Sequence, residues 1–195
     1  MRKEMAMAIL LLSLGPVAGL AAAAPQAQTD QKPSFTAVYD RYLGSLEKEV
    51  VSAAEAMPED KFNFVPTQGE FKSVRTFAQQ VKHIAGGNYM FAAAIMQEKP
   101  PVDLGGGENG PDNIASRADV LKFLNDSFAY LHKALSTIDA NNILEQVQAP
   151  AAFGQRKITR LTLATLALSH PLDHYGQMVI YLRMNNIIPP ASRKQ

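Results

Sequence analysis

Hydrophobic positions divide the chain into four stretches with helical spacing. Apolar side chains at Phe35, Val38, Tyr42, Leu46, Val50, Ala53 and Met57 fall in steps of three and four, which marks one face of an amphipathic helix. Pro58 stops it. A second face runs through Val74, Phe77, Val81, Ile84, Asn88, Phe91 and Ile95, with Ser73 placed to cap it and Pro100–Pro101 to end it. The third carries Leu121, Leu124, Phe128, Leu131, Leu135 and Ile138 behind Ser116 and Asp119, a pair resembling a capping box with Asp in place of Glu. Thr159 caps the fourth, which continues to about Asn185 or Asn186. Between Ile158 and Met184 only Arg160, Asp173 and Arg183 are charged, so the fourth helix is expected to be buried on several sides. No strand run or hairpin dipeptide stands out. Four helices of similar length around one core predict an all-α fold, a four-helix bundle.

The connectors, about residues 58–72, 99–115 and 139–157, are long for a plain up-and-down bundle. Seventeen extended residues, at ~3.3 Å each, reach farther than a 25-residue helix is long, so loop length alone leaves the topology open. The middle connector holds a GGG run, but no strand precedes it and no GK[ST] follows, so it reads as a flexible loop and not a phosphate cradle.

Residues 1–23 have the order of a secretory signal: basic Arg2 and Lys3, an apolar run from Met5, then small residues, with cleavage expected after Ala22 or Ala23. Read instead as an uncleaved anchor, the segment is just long enough to span a bilayer, but Gly15, Pro16 and the Ala-rich end weaken that reading. Residues 24–33 form a disordered lead-in, and residues 34–195 the bundle. Removing Arg2, Lys3 and Glu4 leaves basic and acidic residues in equal number. The expected mature protein is therefore neutral, exported to the periplasm or secreted, and without a membrane span. A neutral chain with no basic run is not expected to bind nucleic acid. Among 195 residues there is no cysteine, which excludes disulfides, thiolate metal sites and a Cys nucleophile. Any metal must be held by His, Asp or Glu.

The sequence His170-Pro171-Leu172-Asp173-His174 carries the most chemistry. His at i and i+4 stand one turn apart on one helix face, so both imidazoles can reach one ion. Two interior imidazoles either share a cation or each find a separate hydrogen-bond partner. Gln177 and Tyr181 extend the stripe, and with Asn88 and Tyr89 are candidates for a substrate pocket. His83 lies in QQVKHIAGGNYM, where Gly86 and Gly87, one turn on, leave space beside an imidazole at ~1 kcal/mol of helix stability each. His132, next to Lys133, reads as a solvated-face residue. Pro171 directly follows the first His, so an HExxH protease mechanism is excluded, and the proline should bend or loosen the helix there. Asp173 is placed to orient an imidazole or to form an ordinary salt bridge. GxSxG and repeated ExxH motifs are absent, which leaves Ser/His/Asp and carboxylate-bridged two-iron chemistry without support.

The segment LTLATLALSHPLDHYGQMVIYLRMNNIIPPASR resembles the last helix of the DinB/YfiT-like metalloenzyme family, with its HxxxH-x-GQ-x-x-x-YLR pattern and Pro-Pro ending. FAQQVKHIAGGNYMF is similar to that family's single-His helix, and the likeness covers about residues 34–193. It implies up-down-down-up connectivity and a divalent metal, zinc or nickel and less often iron, bound by His83, His170 and His174 with water completing the site. It also implies a homodimer and a small-molecule substrate. Characterised relatives include thiol-dependent transferases and an isomerase that uses a small thiol, so a metal-dependent hydrolase or transferase is the expectation. A metal- or ligand-binding bundle without chemistry, or a bundle with structural histidines, is the alternative. Tyr175 stands where many relatives carry Arg, which puts an anion-binding role in doubt at that position.

Overall fold

A computed structural model describes residues 32–154 and 156–193. The expected signal segment 1–23 and nearly all of the expected lead-in, 24–33, lie outside these residues. Four helices build the fold: α1 (Phe35–Ala56), α2 (Phe77–Met96), α3 (Arg117–Ser136) and α4 (Arg160–Met184). Each starts where a hydroxyl side chain accepts an otherwise unpaired N–H of the first turn: Ser34, Thr76, Ser116 and Thr159. Thr76, not Ser73, caps α2, because Thr76 and Gln79 form a reciprocal capping box. Ser73 sits in the preceding turn at φ 65°. At α3, Ser116 accepts from the Asp119 N–H, while its hydroxyl donates to the Asp119 carboxylate at 2.6 Å. The shorter Asp side chain thus meets the cap hydroxyl and not the cap backbone.

Cross-helix hydrogen bonds fix the direction of every helix. Thr36 near the start of α1 donates to Ile138 O just beyond α3 (2.6 Å), and Arg117 at the start of α3 donates to Glu55 O and Met57 O at the end of α1, so those two run antiparallel. Tyr39 meets Thr165, both near helix starts, so α1 and α4 run parallel. Tyr181 reaches Arg75 O while Arg160 reaches Ile95 O, which sets α2 and α4 antiparallel. The order is up-down-down-up. Helices α1 and α2 each pack against α3 and α4, and therefore stand on one diagonal of the bundle.

Parallel α2 and α3 require a connector that climbs the length of the bundle. This crossover, residues 97–116, lies along α2: Lys82 Nζ donates to Pro111 O (2.8 Å), and Gly110, at φ 74°, approaches so closely that a Cβ would stand 2.8 Å from the Lys82 Cβ. The expected flexible loop is a docked one. As a result α2, not α4, is the most enclosed helix, with 14 of 20 residues buried against 9 of 25 in α4. The core gathers Leu43, Leu46, Val50, Phe77, Val81, Ile84, Phe91, Leu124, Phe128, Leu131 and Leu163. On α1 the predicted stripe drifts: Val38 and Tyr42 remain 50% and 48% exposed, and Leu43 is buried in their place. Steps of four advance the face by about 40° each, so Val38 lies two such steps round from Leu46.

The connector 137–159 contains a two-stranded antiparallel sheet, β1 (Gln146–Gln148) with β2 (Lys157–Thr159), in which Val147 pairs with Ile158. Three-residue strands are too short to show alternation, which is why the pattern gives no sign of them. No helix among the described residues is long and apolar enough to cross a membrane.

Candidate metal centre

The antiparallel crossing of α2 and α4 brings His83, His170 and His174 together, with one ring nitrogen of each within 4.8 Å of the others. His83 Nε2 and His170 Nε2 are 3.1 Å apart. Two ligands at 2.0–2.1 Å on a tetrahedral ion stand roughly 3.3 Å from each other, so this pair already has a chelating separation. His83 Nδ1 lies 2.5 Å from the Glu108 carbonyl, an obligate acceptor. Its proton is therefore on Nδ1, and the Nε2 lone pair faces the cluster. The crossover loop, which carries Glu108, is thus part of the site.

His170 packs edge-on against Phe91 and against the backbone of Gly87. A Cβ at position 87 would stand 2.3 Å from His170 Cε1, whereas one at Gly86 would meet nothing within 4 Å. The space expected beside His83 is occupied by the His170 ring instead. His170 Nδ1 is buried without a partner among the described residues. His174 Nδ1 lies 2.5 Å from the Gln80 amide nitrogen, which also donates to Gln177 Oε1 (3.1 Å); Gln177 in turn donates to Asp173 (3.3 Å). Asp173 therefore reaches an imidazole only through two amides, and it forms no salt bridge among the described residues. Helix α4 continues unbroken through Pro171, although the proline cannot donate to Ala167 O.

Burial lowers the pKa of all three imidazoles, to about 3 for His170 and about 4 for His174, and neighbouring imidazoles reinforce the shift at those two. Neutral rings with free lone pairs are the form that binds a cation. No carboxylate among the described residues joins the cluster. The donor set, the 3.1 Å pair and the cradle at Gly87 all fit a divalent transition metal.

A cavity of about 620 Å³ opens beside the cluster, lined by Gln80 and Gln177 together with Phe71, Val74, Arg75 and Tyr181. Gln177 and Tyr181 thus border it as the stripe suggests. Asn88 and Tyr89 do not: Asn88 donates to Ser127 and Tyr89 stacks on Phe123 and Tyr130, so both face α3. Tyr175 is also absent from the lining; burial, and then Glu49 on α1, raises its pKa. His132 keeps a solvent-exposed part, at 27%, and lies between Asp40 and Glu47. A cavity of similar volume, about 640 Å³, sits at the far end of α2; no histidine is among the lining residues of either cavity, and the nearer one adjoins the cluster through Gln80 and Glu108, which contact His174 and His83. Three contributors escape sequence reading: Gln80, Arg75 and Glu108. Gln80 precedes His83 by three residues and so shares its face, a signal that Gln79, engaged in the cap, obscures.

Comparison with known proteins agrees with this architecture. A DinB-like protein from Bacillus subtilis superposes with a TM-score of 0.58 over 81% of this chain and 99% of its own, at 18% identity. Another from Bacillus cereus gives 0.56 over 76% and 93%, at 13% identity. A conserved protein from Enterococcus faecalis gives 0.62 over 78% and 98%, at 14% identity. At these identities the likeness speaks to the fold. No curated protein matches the sequence. The family model of the DinB superfamily matches residues 43–178, a span that holds all three clustered histidines, and the chain therefore belongs to the DinB superfamily.

Proposed function

We propose that this protein is an exported metal-binding bundle in which His83, His170 and His174 hold a divalent ion, zinc or nickel before iron, and that it acts as a hydrolase or transferase on a small molecule. The observation that carries the reading is the convergence of three neutral imidazoles, two with Nε2 atoms 3.1 Å apart, beside an open cavity. When bound by three imidazoles with a position left open, such an ion supplies Lewis acidity and a water of lowered pKa, ~7 for zinc. The chain's own residues prepare the site. Glu108 O holds the His83 proton on Nδ1, Gly87 seats His170, and Gln80 and Gln177 present amides to the cavity. Phe71, Val74 and Ile180 give the cavity an apolar side. Export is supported by the signal-like order of residues 1–23. The homodimer belongs to the same proposal, and sedimentation of the mature chain tests it.

A non-catalytic binding role has one observation in its favour: Asp173, the nearest acid on α4, is separated from the imidazoles by two amides and is not placed as a general base. Elemental analysis of the mature protein, purified without chelator or tag, beside the His83→Ala/His170→Ala/His174→Ala variant, tests the site. About one metal per chain, lost in the variant, is expected. A wild type that neither contains nor takes up metal refutes the proposal.

A further inference from the structure

Among the described residues, the lining of the cavity beside the histidines includes one cation, Arg75, and its pairing is unusual. Arg75 directly precedes the α2 cap and is anchored by its own carbonyl, which accepts the Tyr181 hydroxyl at 2.9 Å. Its guanidinium faces the cavity along the Nε–Nη2 edge, the edge that matches the two oxygens of a carboxylate. That edge is filled from within: Nη2 donates to Glu108 Oε2 at 2.6 Å and Nε to Asn109 Oδ1 at 3.1 Å. The two partners differ sharply in burial. The Arg75 side chain is only 23% exposed, whereas that of Glu108 is 83% exposed. Glu108 is tied down by its backbone, whose carbonyl holds His83, while its carboxylate is free to rotate into solvent without disturbing that bond.

We propose that the cavity receives a small organic carboxylate with an apolar or aromatic body, that Arg75 binds its carboxylate, and that Glu108 is an internal carboxylate which the ligand displaces. Three features set this class. The guanidinium edge selects a planar, two-oxygen anion. Phe71, Val74, Ile180 and Tyr181 line the same space and cover an apolar body. The amides of Gln80 and Gln177, which adjoin His174, meet a polar group between the two ends. The Arg75 charge also reaches all three imidazoles, so a bound carboxylate would take over from Glu108 as its counter-ion next to the proposed metal. As an account of substrate, the inference rests on the metal-site reading. As an account of binding, it does not.

Titration of phenylacetate and of its neutral isostere phenylacetamide into the mature chain, metal-free and after zinc addition, is the test. Wild-type protein is expected to bind the acid and not the amide. Arg75→Gln should weaken phenylacetate binding about tenfold or more. Glu108→Gln should strengthen it severalfold, because the internal competitor is lost while the carbonyl that holds His83 remains. That gain is a readout which a merely damaged fold does not produce. Equal binding of acid and amide, an unchanged affinity in Arg75→Gln, or failure of Glu108→Gln to bind phenylacetate better than wild type each overturns the inference. Zinc stoichiometry on the same samples separates the two proposals: zinc bound without phenylacetate sinks only this one, and phenylacetate bound without zinc sinks only the metal site.

Discussion

Between α1 and α3, His132 turns Nδ1 to Asp40 at 2.5 Å and Nε2 to Glu47 at 3.1 Å. Between α2 and α4, on the opposite side of the bundle, three histidines face one another and an amide, with no carboxylate in the group. The same side chain, set between two helices in each case, thus meets opposite surroundings. His132 has anions at both nitrogens and needs nothing more. The cluster has converging ring nitrogens, kept neutral by burial, by one another and by Arg75, and one buried nitrogen without a partner among the described residues. A ring whose nitrogens are already satisfied by protein anions has no capacity for a cation. Neutral rings held together without an anion do.

Exchange of single residues breaks or sharpens this contrast. The largest effect is expected from His174→Ala, which should abolish stoichiometric metal binding with helix content nearly intact, whereas His132→Ala should leave the metal content unchanged. Elemental analysis and circular dichroism of both proteins check this. Equal metal in the two variants would remove the distinction.

The glycines offer a second pair. Gly87→Ala places a methyl group 2.3 Å from His170 Cε1. The ring must move, with a loss of about 10–100-fold in metal affinity and about 1–3 kcal/mol of stability. Gly86→Ala meets nothing within 4 Å and should stabilise the helix by up to ~1 kcal/mol. Chelator competition and urea unfolding measure both, and similar behaviour of the two variants would show that the His170 cradle is not needed.

Proton linkage gives a smaller and graded effect in the metal-free protein. Burial, reinforced by the neighbouring imidazoles, holds His170 at about 3 and His174 at about 4, below the ~6.5 of an unfolded histidine. Between these values the unfolded chain binds more protons. The stability contributed by the neutral rings is therefore complete above about pH 6.5 and is lost as pH falls towards 4 and 3. Urea midpoints should decline over that window, and His170→Gln should flatten the decline relative to wild type. Identical profiles would contradict the burial of a neutral ring. The smallest effect belongs to the other side of the bundle: Asp40→Asn, at a half-exposed pair, should cost no more than about 1 kcal/mol and less in high salt.

The helices were legible because their signals are local. Caps at Ser116 and Thr159 and the apolar steps along α3 lie within a few residues of one another, and the structure places them as read. The α2 cap was not, since Ser73 and Thr76 are both acceptable caps by type and only the reciprocal bond with Gln79 selects between them. His170 and His174 formed a pair through helix geometry alone. Their meeting with His83, and the parts played by Gln80, Arg75 and Glu108, depend on segments far apart in the chain.

The sequence by itself determined four helices, their approximate ends and one i, i+4 histidine pair, because hydrogen bonding and side-chain direction within a helix depend on near neighbours. Family resemblance in the sequence added the third histidine and the up-down-down-up order. Only the tertiary structure decided that α2 is the enclosed helix, that the crossover loop fixes the His83 tautomer, that Gly87 seats His170 and not His83, and that His132 meets carboxylates. These outcomes depend on which helices pack side by side and on how the twenty-residue crossover, residues 97–116, returns along α2. Such contacts arise from burial of the whole core, which no local pattern encodes.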